Sequence, residues 1–217
     1  MKLLTDYNIQ HIKSICEIYN IDKLFKAIML MEGDKNFPVS VQSHALIALG
    51  NAYQMAELVI PKSASTRAIL CYFLIQASGI GTSVVGEDGK ISSQVRQWII
   101  EYLGEDSTLS NQLNSIYEGV TLLNTGSSIE KEPLWLKIIN DAEVAAIISD
   151  NWYITCKELL HKEIEVSPDE DISTLFINSI REYVNQAEEC KTYIDIFKLD
   201  FSSRLNSLKI EVDSLIN

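Results

Sequence analysis

The chain has 217 residues, enough for one sizeable core or for a core with an appendage. Hydrophobic residues make up 47% of it, which excludes wholesale disorder. The net charge of −12, with no Lys/Arg run to offset it, argues against wide nucleic-acid contact and against docking on anionic membranes.

Four prolines and nine glycines leave few interruptions, which favours long helices. Residues 6–31 alternate at helical period: Ile9, Ile12, Ile15 and Ile18, then Leu24, Phe25, Ile28 and Met29. They predict two helices broken near Asn20. Asp34 to Pro38 reads as a loop, and Ser40 caps a helix from Val41 to Ile60 that Pro61 stops. That helix is apolar nearly all round, as a helix at the centre of a domain should be. Ser63 or Ser65 starts the next, Thr66 to Ser78, ended by Gly79-Ile80-Gly81. Thr82 to Ile91 is a turn with β-branched flanks, the one strand candidate in the chain.

Ser93 to Leu103 and Ser107 to Asn124 predict two amphipathic helices. Pro133 marks another start, with the helix running from Leu134 through Ile148, then Trp152 to His161. Ser167-Pro168-Asp169-Glu170 combines a cap, a first-position Pro and a third-position Glu. Beyond it apolar residues recur at gaps of three and four: Phe176, Ile180, Tyr183, Ala187, Cys190, Ile194, Phe197, Phe201, Leu205, Leu208, Val212 and Leu215. An unbroken helix over this stretch would span about 70 Å at about 1.5 Å per residue. Asp200 to Ser203 is the place where it would instead fold into a hairpin. One face of this stretch packs on the chain's own core, or it forms a seam for a partner or second copy. The expected fold is thus all-α: a bundle of about seven helices over residues 1–163, with a C-terminal helical extension over 164–217.

The cysteines, Cys16, Cys71, Cys156 and Cys190, lie far apart with no CxxC, as reduced thiols on buried helix faces do. The residues after Met1 do not continue into a secretory signal, and no run reaches the length of a membrane span. The expected location is the cytoplasm, or a host cytosol reached without a cleavable signal. The tryptophans, Trp98, Trp135 and Trp152, sit in helical patterns as core anchors. No GxGxxG, GxxxxGK[ST] or GxSxG motif is present. Cys71 and His44 are the only conceivable nucleophile–base pairing, and nothing but coexistence supports it.

Three segments carry a pattern: "SHALIALGNAYQMA" with His44 near a helix start, "YFLIQASGIG" ending a later helix, and "LKIINDAEVAAI" with Asp141. In order and spacing, residues 40–160 resemble the HD-domain superfamily of metal-dependent phosphohydrolases. The resemblance implies a helical bundle in which His44 takes the first ligand position and Asp141 the last. Gln76 and Ala77 stand where the family carries its His-Asp pair. A divalent ion held by imidazole and carboxylate lowers the pKa of bound water to make a nucleophile. Gln is a poor ligand and Ala none, so the resemblance implies a site without a catalytic ion, reused as a binding pocket or scaffold. Glu143 could add an oxygen, but positions i and i+2 of a helix do not face the same way. The bland alternatives are a satisfied core position for His44 and a solvated helix face for Asp141 and Glu143.

Two functions follow as expectations. One is a non-catalytic helical protein, regulatory or a bacterial effector, that binds a protein partner or a second copy through Phe197, Phe201, Leu205, Leu208, Val212 and Leu215. It needs no cofactor, nucleic acid or membrane. The other is an atypical phosphohydrolase with a pocket of His44, Gln76 and Asp141. It would act on a nucleotide or phosphoester with a divalent metal such as Mn, Fe or Mg, with Arg96 and Lys137 the nearest cations in sequence.

Overall fold

The structure is a computed structural model that describes residues 9–30, 39–78, 92–124, 133–147, 181, 206–211 and 214. Seven α-helices account for most of them, and no strand occurs among the described residues. The chain is an all-α multi-helix bundle. The turn-and-strand candidate at 82–91 and the helix at 152–161 lie outside the described residues.

The first two helices, α1 (Ile9–Ile18) and α2 (Asp22–Leu30), are separated where the sequence suggests. Asn20 adopts φ 54°, the left-handed conformation that Asn tolerates better than most residues. Its N–H donates to Glu17 O at 3.2 Å, and the Ile21 N–H donates to Cys16 O at 2.9 Å. This double closure satisfies carbonyls the ending helix leaves open. Ile21 and Cys16 are themselves fully buried, so the turn is held by packing as well.

The third helix, α3 (Val39–Val59), is the centre of the bundle. Leu46, Ile47, Ala48, Leu49, Ala52, Met55 and Ala56 have no exposed surface. The helix stops two residues before Pro61, because a proline disfavours helical backbone in the residue ahead of it. Lys62 then takes φ 52°, and its N–H reaches Glu57 Oε1 at 3.3 Å. Glu57 also accepts from the Tyr19 hydroxyl, which ties α1 to the end of α3.

Ser63 caps α4 (Ala64–Ala77), its Oγ accepting from the Thr66 N–H at 3.0 Å. Residues from Ala68 to Ile75 on this helix are all buried, so α4 is a second inner helix. Ser92 caps α5 (Ser93–Leu103), which ends at Gly104 with φ 80°, where glycine meets no steric penalty. Asp106 caps α6 (Ser107–Asn124) through the Leu109 N–H at 2.9 Å. Pro133 precedes α7 (Leu134–Ile147), and its carbonyl accepts the first helical hydrogen bonds.

Helix α3 packs chiefly on α4 and α7, and α4 also packs on α6. Helices α1 and α2 lie against α3 and α4, and α5 lies against α2. This layering explains why α3 and α4 are apolar nearly all round, whereas α1 and α2 carry one apolar stripe. Leu208, from the described helical residues 206–211, is fully buried and belongs to the same apolar cluster. The C-terminal stretch therefore contributes at least this side chain to the chain's own core. Phe197, Phe201, Leu205, Val212 and Leu215 lie outside the described residues.

Candidate functional site

The packing of α3 on α7 brings together two polar residues 99 positions apart. His44 Nε2 lies 2.5 Å from Glu143 Oε2, with side-chain exposures of 17% and 31%. A short charge-assisted pair of this kind fixes an imidazole's orientation. The corner extends onto α4. Gln76 stands one turn from Tyr72 on this helix, near enough for its amide to act on the Tyr72 phenol, as the Glu143 carboxylate also does. Burial first, and then the Glu143 charge, push the Tyr72 phenol well above its ordinary pKa, so it stays protonated. The Tyr72 ring in turn leans on Tyr117 of α6 at 5.2 Å between centroids.

His44 and α7 thus meet at one corner, with Tyr72 of α4 within reach of the same charge, and the carboxylate that α7 brings to His44 Nε2 belongs to Glu143. Residue 141 lies about 200° around the helix from 143, at about 100° per residue. Lys137, Asn140 and Glu143 form the half-exposed edge of α7, whereas Asp141 sits among Ile138, Ala142 and Ala145 with no exposed surface. Its Oδ1 accepts from Asn140 Nδ2 at 3.4 Å. A carboxylate so fully withdrawn from water is rare in proteins unless it is satisfied within the fold.

Ala77, which the resemblance set in the place of a ligand, is fully buried in the core. Among the described residues, no three His, Cys, Asp or Glu side chains are grouped to hold a metal ion. A divalent ion bound by protein commonly has three or more such ligands. His44 and Glu143 offer two, and Gln76, a neutral amide, is a poor ligand. Among the described residues, the donor set that the resemblance would require is therefore incomplete at this corner.

Other nucleophile chemistry fares no better. Cys71 is fully buried on α4, and burial pushes its thiol up to about 12. Such a thiol carries almost no thiolate near neutrality, so it makes a poor partner for His44. Cys16 is also buried with its pKa raised, chiefly by desolvation. Arg96 stands exposed on α5, a helix that packs on α2. Lys137 is half-buried on α7. His11 is exposed on α1 with its ring edge-on to Tyr53, and His161 lies outside the described residues.

The sequence carried a signal for Glu143 that the family resemblance obscured. The apolar residues of "LKIINDAEVAAI" surround position 141 and leave 137, 140 and 143, at intervals of three, as a polar edge. Tyr72 gave no comparable signal, since an aromatic in an apolar helix reads as core. Trp98 and Trp135 are both only half-buried against the core rather than enclosed by it. Among the described residues no helix is long and apolar enough to cross a membrane. No protein-family model, curated protein or solved structure shows significant similarity to this chain.

Proposed function

We propose that this chain is a non-catalytic helical binding protein, regulatory or an effector, built on an HD-like frame whose metal corner has become a structural clasp. The observation that carries this reading is the commitment of the corner's polar groups to one another. His44 is held by Glu143 at 2.5 Å, Gln76 stands beside Tyr72, and Ala77 is buried in the core. A hydrolytic site instead keeps an open coordination position for water or substrate.

The partner is a protein or a second copy of the chain. Its contact residues are drawn from Phe197, Phe201, Leu205, Val212 and Leu215, with Leu208 anchoring the segment to the core. The charge of −12 favours a partner with a basic or mixed rim. Metal analysis and mass measurement of the purified chain test the proposal together. The reading expects no stoichiometric metal and a mass that rises with concentration or on adding partner, with the rise lost in Phe201→Asp. Stoichiometric Mn, Fe or Zn that disappears in His44→Ala would instead make this chain an atypical phosphohydrolase.

A further inference from the structure

A second region of the bundle has the character of a ligand site and stands apart from the His44 corner. Where the start of α4, the middle of α6 and the first turn of α7 meet, a cavity of about 300 Å³ opens. On α6, Asn111, Gln112 and Ser115 line it, spaced so that one helical face supplies all three. Ser65 of α4 adds a second hydroxyl, and Trp135 of α7 supplies an indole wall. That indole is half-buried, although a tryptophan at a helix start reads as a core anchor. Its position depends on α6: a Cβ at Gly119 would lie only 3.3 Å from Trp135 Cη2. The missing side chain at Gly119 lets the ring settle close to the helix, one turn beyond Ser115.

Among the described residues, the lining contains no charged side chain. Arg67, in sequence between Ser65 and Ala68, is committed to Asp106 at 2.7 Å. An anionic ligand would find no cation among the lining residues and would meet a chain of net charge −12. A cationic ligand would find no carboxylate among these described lining residues. A neutral ligand remains, with an apolar face for the indole and a rim of groups that both donate and accept. Amides and hydroxyls do both, which matches the hydroxyls of a sugar. The C–H face of a pyranose supplies the apolar contact on the indole. A volume near the bottom of the range for ligand pockets, about 300–1,000 Å³, suits one ring rather than a long oligosaccharide. A nucleobase presents few edge groups, and as a nucleotide it brings phosphates that none of the described lining residues would neutralise.

We propose that the cleft between α4, α6 and α7 binds a single neutral pyranose, stacked on Trp135 and hydrogen-bonded by Asn111, Gln112 and the two serines. This inference does not rest on the binding function proposed above, because it uses none of the same residues. The test is a titration of the ¹⁵N-labelled full chain with D-glucose, D-galactose and N-acetyl-D-glucosamine, and with adenosine for comparison. The signals read are the Trp135 indole N–H and the side-chain amides of Asn111 and Gln112. At least one sugar should shift these signals along a saturable curve, with a Kd of about millimolar for so small a ligand. Trp135→Ala should abolish the curve and Trp135→Phe should retain it. Asn111→Ala, at an exposed position where folding is undisturbed, should weaken it about tenfold or more. Absence of a saturable shift with all three sugars would overturn the proposal. So would adenosine shifting these signals in their place, or sugar shifts that survive unchanged in Asn111→Ala.

Discussion

Replacing Asp106 separates a helix cap from an ion pair within one side chain. Its Oδ1 accepts from the Leu109 N–H at 2.9 Å, closing the start of α6, while its Oδ2 takes Arg67 Nη1 from α4 at 2.7 Å. Loss of an Asp cap costs about 0.5–2 kcal/mol. A pair with side chains 25% and 31% exposed is screened by water and adds about 0–1 kcal/mol. Arg67 Nε is buried without a hydrogen-bond partner, so the guanidinium loses its main support when the carboxylate goes. Asp106→Ala should therefore cost about 2 kcal/mol, or about 4–8 °C in midpoint for a chain of this size. Asp106→Asn keeps an oxygen for the cap and should cost only about 0–1 kcal/mol. Urea unfolding followed by circular dichroism reads both variants. The pH dependence gives a second handle. The Leu109 N–H, followed by Arg67, holds the Asp106 carboxyl below its ordinary pKa. Its stabilisation is then fully present above the unfolded value of about 3.9 and is lost as pH falls through the lower folded value. The gap between wild type and Asp106→Asn should close in acid. If Asp106→Asn costs as much as Asp106→Ala at neutral pH, the division between cap and charge is wrong.

Gly119→Ala should destabilise the chain despite a helical gain of about 1 kcal/mol, because the new Cβ would sit 3.0 Å from Leu136 Cδ2 and 3.3 Å from Trp135 Cη2. A raised thermal midpoint would mean that Leu136 turns aside at little cost. At the α1–α2 turn, Asn20→Gly should be nearly neutral, whereas Asn20→Ala should cost about 1 kcal/mol for left-handed backbone. Equal unfolding curves for the two would count against the closure described there.

The bundle was legible because its helix ends carry chemistry. Asn20, Ser63 and Pro133 each stand where a helix starts or stops, and each does so through a backbone preference or a side-chain hydrogen bond. Apolar periodicity also set the inner helices α3 and α4 apart from the one-faced α1 and α2. The corner was legible only in part. The family resemblance singled out His44, which the structure pairs with a carboxylate of α7. Which acidic residue of α7 meets His44 depends on how that helix is rotated against α3, and two carboxylates two residues apart leave that rotation open. The cleft between α4, α6 and α7 had no linear signature, because its lining comes from three helices and its indole reads as core. Leu208 shows a related limit: a heptad-like stripe looks the same whether it packs inward or outward.

The clasp at His44 is tested most directly by a double-mutant cycle of His44→Ala and Glu143→Ala, measured by thermal unfolding with EDTA and again with excess Mn. A structural clasp gives a coupling of about 1 kcal/mol that is the same in both conditions. A midpoint that Mn raises in the wild type but not in His44→Ala would contradict it, and would return the corner to metal chemistry.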